Sequence, residues 1–123
     1  MDKVFSQLYN YLHDASHKNT DPLENFFFST KQNVILMFYI ASQKDKQATL
    51  EGICYNISPK VVSRSTVQNI LKEGVRINFL KKKINEKDKR SKNYTLTKEA
   101  ISLMEEWVYL QKEVFSKIDR TTK

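Results

Sequence analysis

Arg64, Gln68, Asn69 and Lys72 put a guanidinium, two carboxamides and an ammonium group within residues 64–72. Ser63, Ser65 and Thr66 add hydroxyls to the same stretch. These groups recognise rather than break bonds. A guanidinium offers N–H donors in a fixed plane, and a carboxamide offers a donor beside an acceptor. The same forks match base edges: arginine onto guanine, glutamine or asparagine onto adenine. A solvated polar face would use the same residues, so their surroundings must decide.

The surroundings are basic. The chain carries a net charge of +7 over 123 residues. Residues 58–92 hold eleven basic residues against Glu73, Glu86 and Asp88, so this segment carries +8 and the remainder −1. A basic patch on an otherwise balanced chain is the footprint of a polyanionic partner. Within it runs INEKDKRSKNYTLT, residues 84–97, which opens on charges no core could take and closes on alternating residues.

Other classes of function find little support. Hydrophobic residues make up 40% of the chain and aromatic residues 11%, too much for a disordered segment. The length argues for one domain over residues 1–123. No apolar run is long enough to span a membrane, and Met1-Asp2-Lys3-Val4-Phe5 lacks the layout of a signal peptide. Cys54 is the single cysteine, which suits a reducing, cytoplasmic setting. On an apolar helical stripe it reads as core rather than as a redox sensor. No catalytic triad, nucleotide loop or zinc motif is present, so no enzyme activity and no cofactor are expected. His13 and His17 have metal-compatible spacing, but Asp14 is the only carboxylate near them, and no metal site is expected.

Periodicity supplies the elements that must position these groups. Val4, Phe5, Leu8, Tyr9 and Leu12 predict a helix over 2–14. Thr20-Asp21-Pro22 suits the start of a further short turn. Ser29-Thr30-Lys31-Gln32 has the capping-box form and predicts a helix over about 30–44. A polar connection leads to a helix over about 48–56. Ser63 or Ser65 then caps a helix with Val67, Ile70, Leu71 and Val75 inward; Gly74 on that face is costly in a helix and tolerable if another backbone must approach closely there. Gln68, Asn69 and Lys72 fall off the apolar face. Asn78 suits a left-handed helix end. Phe79–Ile84 and Asn93–Thr97 read as two strands joined by the charged loop. A final helix from Thr97 carries two apolar stripes, more than one small core needs.

The expected fold is mainly α with a small β-hairpin (α+β): helices, then a hairpin, then a long helix. This is the layout of a winged helix-turn-helix, in which the second helix of the turn enters the major groove. Residues 65–97 also resemble the recognition helix and wing of MarR-family transcription regulators. Thr66-Val67 match the helix start, Ile70-Leu71 the apolar pair, and Phe79-Leu80 the opening of the wing. Asp88-Lys89-Arg90 match the wing-tip signature, and Leu96-Thr97 the hinge into the next helix. Gly74 stands where the family usually has leucine and Asn78 where it usually has glycine. The connection Ile57–Ser63 is longer than usual.

The resemblance implies a dimeric regulator binding double-stranded DNA, with residues 30–97 as the DNA-binding lobe and helices 2–14 and 98–118 as the dimer arm. Base reading then falls to Ser63, Arg64, Ser65, Thr66, Gln68, Asn69 and Lys72. Lys81, Lys82, Lys83, Lys87, Lys89 and Lys92 suit phosphates, releasing counterions on binding. Arg90 suits the minor groove, where narrow A·T tracts attract arginine. Asp88 is expected to hold the Arg90 guanidinium. Leu8, Met104, Trp107, Val108, Phe115 and Ile118 are the expected homodimer contacts. Two alternatives stand beside this. A winged helix could bind another nucleic acid or a protein partner, in plasmid or phage replication or on RNA. Tyr9, Tyr11, Phe26, Phe27 and Phe28 could line a pocket for a small-molecule effector of unknown identity, although such residues more often form core.

Overall fold

The computed structural model describes residues 1–18, 21–84, 86–116 and 118, leaving aside the side chains of 15–18. Along the chain come α1 (Asp2–Lys18), α2 (Pro22–Phe27), α3 (Lys31–Ser42), a single tight turn (Lys44–Lys46), β1 (Gln47–Thr49), α4 (Leu50–Asn56), α5 (Arg64–Arg76), β2 (Leu80–Ile84), β3 (Lys92–Leu96) and α6 (Lys98–Ser116).

Short polar side chains start most of the helices. Asp21 accepts the Leu23 N–H at 3.0 Å, with Pro22 supplying the first helical φ of α2. Thr30, one residue after the expected Ser29, caps α3 by accepting the Asn33 N–H at 3.1 Å. Ser29 instead donates to the Phe26 carbonyl at 2.8 Å, closing the end of α2. Thr49 caps α4 through the Gly52 N–H, and Ser63 caps α5 through the Thr66 N–H. These bonds satisfy donors that a helix leaves without intrahelical partners.

The expected hairpin is part of a three-stranded antiparallel sheet ordered β1-β3-β2, with β2 at one edge. The added strand, β1, pairs Ala48 with Tyr94, and α4 begins directly after it. The first helix of the turn is thereby tied to the returning strand of the wing. The longer connection before α5 closes on itself. The Ser58 carbonyl accepts the N–H groups of Val61 and Val62 at 2.9 and 3.1 Å, and Val62 is buried beneath it.

The core gathers Phe27, Leu36, Met37, Ile40, Ile53, Val67, Leu71, Phe79 and Leu80, all essentially inaccessible. Asn33 is buried among them. Its amide donates to the Phe26 carbonyl at 3.0 Å and its carbonyl accepts from Thr30 Oγ1 at 2.8 Å, so its polar groups are matched. Gly74 does not admit another backbone. A Cβ there would meet Leu80 Cδ1 at 2.8 Å and Phe26 Cζ at 3.2 Å, so glycine makes room for two side chains.

α5 ends as expected. Asn78 has φ 68°, the Phe79 N–H reaches the Gly74 carbonyl at 2.8 Å, and the Asn78 N–H reaches that of Val75 at 3.2 Å. These are the two bonds of a Schellman motif. Thr97 fastens the corner: its hydroxyl donates to the Asn78 carbonyl at 2.9 Å and accepts the Ala100 N–H at 3.2 Å, starting α6. A Cβ disfavours the left-handed region by about 1–2 kcal/mol, which asparagine offsets through local hydrogen bonds and glycine avoids. Asn78→Ala should therefore lower stability by about 1 kcal/mol while Asn78→Gly holds or raises it, as measured by urea denaturation.

Candidate nucleic-acid interface

α5 divides its residues by face. Val67, Ile70, Leu71 and Gly74 are buried. Ser65, Gln68, Asn69 and Lys72 are exposed. Their spacings of three and four residues align them along one side. Ser63 is engaged by the helix itself, since its hydroxyl donates to Thr66 Oγ1 at 2.9 Å besides capping. Thr66 is half-buried and, with Asn69, borders a groove of about 590 Å³ shared with Phe26, Thr30 and Ile77.

Arg64 has a partner thirteen residues away, at a separation that no local spacing reveals. Its Nη1 lies 3.3 Å from Glu51 Oε2 and its Nη2 2.5 Å from Oε1, a two-pronged pair between α5 and the first turn of α4. The Arg64 hydrogen bond, and then its charge, hold the Glu51 carboxyl below the ordinary carboxylate range. Both side chains remain largely exposed. The Arg64 guanidinium is raised chiefly by Glu51, with a smaller contribution from Cys54. Cys54 itself is half-buried against the core.

In the wing, Lys81, Lys82, Lys83, Ile84 and residues 86–90 are exposed. Lys82 pairs with Tyr94 and Ile84 with Lys92, while Lys81 pairs with Thr95 and Lys83 with Asn93. Residues alternate along a strand, and directly opposed residues share a face. Lysines therefore project from both faces of the wing.

The wing tip is not held as expected. Asp88 Oδ1 accepts the backbone N–H of Arg90 at 3.0 Å, and the Asp88 carbonyl accepts that of Ser91 at 2.9 Å. Among the described residues no ion pair joins Asp88 to the Arg90 guanidinium. A short aspartate side chain turns back onto the backbone two residues on. Asp88 thus shapes the loop, and the exposed Arg90 side chain extends from it. Arg90, Lys92 and Asp88 also line a cleft of about 400 Å³ with Glu51, Leu50 and Tyr94, so the wing and α4 share a wall.

The residues expected to meet a second copy fall into two groups. Met104 is buried in the core, and Trp107 packs on Phe27, Phe28 and Phe38 at 6.5, 6.3 and 5.9 Å between ring centroids. These two complete the chain's own core, because α2 and α3 present aromatic rings to that side of α6. Leu8 and Ile118 are half-buried, whereas Val108 and Phe115 are exposed. Phe5, Tyr9 and Leu12 on α1 and Tyr109 on α6 are also exposed, at 63%, 64%, 46% and 64%. Their signal was the width of the apolar stripes on both helices.

A second cleft, of about 860 Å³, opens between α1, α2 and α6, with Tyr11, Leu23 and Leu103 beside Asp14, Asp21, Glu24, Glu99 and Glu106. Burial pushes the Tyr11 hydroxyl pKa up, helped by the charges of Glu24 and Glu106. Of the aromatic residues proposed for an effector pocket, Tyr11 lines this cleft. Phe27 is core, and Phe26 borders the groove beside α5. The His13 ring lies 3.3 Å from Asp14 Oδ1, and the side chain of His17 lies outside the described residues. Among the described residues no three His, Cys, Asp or Glu side chains converge to hold a metal, and no helix is long and apolar enough to cross a membrane.

The same architecture occurs in solved structures. MepR of S. aureus in its DNA complex superposes with a TM-score of 0.62 at 21% identity, covering 90% of this chain and 84% of that one. Sco3205, a MarR family transcriptional regulator from Streptomyces coelicolor in complex with DNA, gives 0.56 at 12% identity over 93% and 76% of the two chains. A mutant MarR from E. coli gives 0.54 at 17% identity over 93% and 86%. This chain has the winged-helix fold of these proteins. No protein-family model matches it, and no curated protein sequence does.

Proposed function

We propose that this chain is a dimeric, sequence-specific regulator of transcription that binds double-stranded DNA. The observation that carries this reading is a coincidence. The exposed face of α5 holds Ser65, Gln68, Asn69 and Lys72, and the adjoining wing is basic on both faces. The α5 residues suit base edges in the major groove, and the wing lysines suit phosphates. The DNA-bound state of MepR and Sco3205, which share the fold, supports it. Residues 30–97 form the DNA-binding lobe, and α1 with α6 forms the dimer arm. The exposed Phe5, Tyr9, Leu12, Val108 and Phe115 are its contacts. A two-fold dimer sets its recognition helices about 34 Å apart, one turn of duplex, and reads a palindrome. The location proposed is the cytoplasm, and no catalytic role is assigned.

Selecting bound duplexes from a random pool tests this. A palindromic consensus is expected, with affinity falling steeply as salt rises. The same selection with Phe5→Glu should return a half-site, because a charge on the apolar arm separates the copies. An unenriched pool, salt-insensitive binding, or a preference for single-stranded DNA or RNA in competition overturns the proposal.

A further inference from the structure

Glu51 is an acidic residue set beside Arg64, Arg90 and Lys92. It lies in the first turn of α4, pairs with Arg64 at the start of α5, and lines the same cleft as Arg90 and Lys92 of the wing. A carboxylate facing DNA repels phosphate, so a surface built for affinity alone would leave it out.

The geometry of the pair suggests its use. Glu51 engages Arg64 end-on, through Nη1 and Nη2. A guanidinium has five N–H donors in one plane. An end-on fork uses one hydrogen on each Nη. The Nε–H and the second hydrogen of Nη2 lie along the side edge, and neither takes part in the fork to Glu51. These two parallel donors fit the O6 and N7 acceptors of guanine. The carboxylate also balances the guanidinium charge, which weakens its attraction to a phosphate, and it fixes the plane of a side chain that is otherwise long and mobile.

We propose that Glu51 is a positioning residue that makes Arg64 a reader of guanine rather than a neutraliser of phosphate. This rests on the duplex-DNA reading above. It assigns Arg64 a contribution that depends on sequence and hardly on salt. Removing Glu51 reverses both properties: the released guanidinium joins the non-specific contacts, and its fork loses its aim.

The test compares the unmodified chain with Glu51→Gln, Arg64→Ala and the double variant. Each is titrated over a range of salt against a random-sequence duplex. Each is then titrated against the selected duplex and its single-base-pair variants. Arg64→Ala should leave the salt slope on random duplex unchanged and lose about tenfold in discrimination at one G·C pair. Glu51→Gln should steepen that slope by about 0.9, the increment for one phosphate contact, and lose discrimination at the same pair. The steeper slope should vanish in the double variant, since it requires Arg64. If Glu51→Gln keeps its discrimination, or steepens the slope equally without Arg64, Glu51 only repels the backbone and the inference is wrong. If the unmodified chain itself fails to bind duplex at low salt, the functional reading falls, and this inference falls with it.

Discussion

Arg90→Ala should weaken binding to duplex DNA by about 1–3 kcal/mol and flatten its salt dependence by about 0.9 in slope, as read by fluorescence anisotropy over a salt series. Arg90 combines three properties that the neighbouring lysines lack together. It sits at the wing tip, its side chain is exposed, and its own backbone N–H is fixed by Asp88 Oδ1 at 3.0 Å. A planar, weakly hydrated guanidinium enters a narrow minor groove at lower cost than an ammonium. Lys87→Ala and Lys89→Ala should each cost less, because either lysine can be replaced at a phosphate by its neighbours. Equal losses for Arg90 and the lysines would reduce the wing to a diffuse electrostatic contact.

Much of this candidate interface was legible in the sequence because its signals are local. The apolar face of α5 is a spacing of three and four within residues 67–74. The left-handed turn at Asn78 and the hinge at Thr97 each depend on one residue of the right type. The features that escaped are pairings across distance. β1 has three residues, Gln47–Thr49, too few to show alternation, and its partner residues 93–95 come after the whole of α4 and α5. The Glu51–Arg64 pair joins two helices whose relative angle no periodicity reveals. Asp88 could satisfy either a guanidinium or a backbone N–H, and only the loop geometry decides. The apolar stripes of α1 and α6 were visible, but which stripe each chain covers for itself depends on where the α2 and α3 aromatics land. Met104 joins that core and Trp107 meets those rings, whereas Phe5 and Phe115 stay exposed.

Phe27→Ala should destabilise the fold by about 3–5 kcal/mol, a large part of the total stability of about 5–15 kcal/mol usual for a domain. Phe27 is fully buried. Its ring lies 4.9 Å from that of Phe28, 5.5 Å from Phe38, 6.2 Å from Phe79 and 6.5 Å from Trp107, so it joins α2, α3, the entry to β2, and α6. Truncation removes the buried area and leaves a cavity between elements that cannot all close in. Urea denaturation followed by the fluorescence of Trp107, the single tryptophan, measures the effect beside the affected site. A loss under 1 kcal/mol would mean that the aromatic cluster repacks.

β2 runs along the rim of the sheet with one side of its backbone unpaired, the arrangement by which one folded chain can add a strand to another. Lys81, Lys82 and Lys83 occupy that rim in succession. A second copy approaching it in extended form would bring ammonium groups against ammonium groups and be turned away. The charges assigned to phosphate thus also guard an open edge. On the proposed DNA reading, the side chains that meet phosphate also keep the edge from recruiting a second strand.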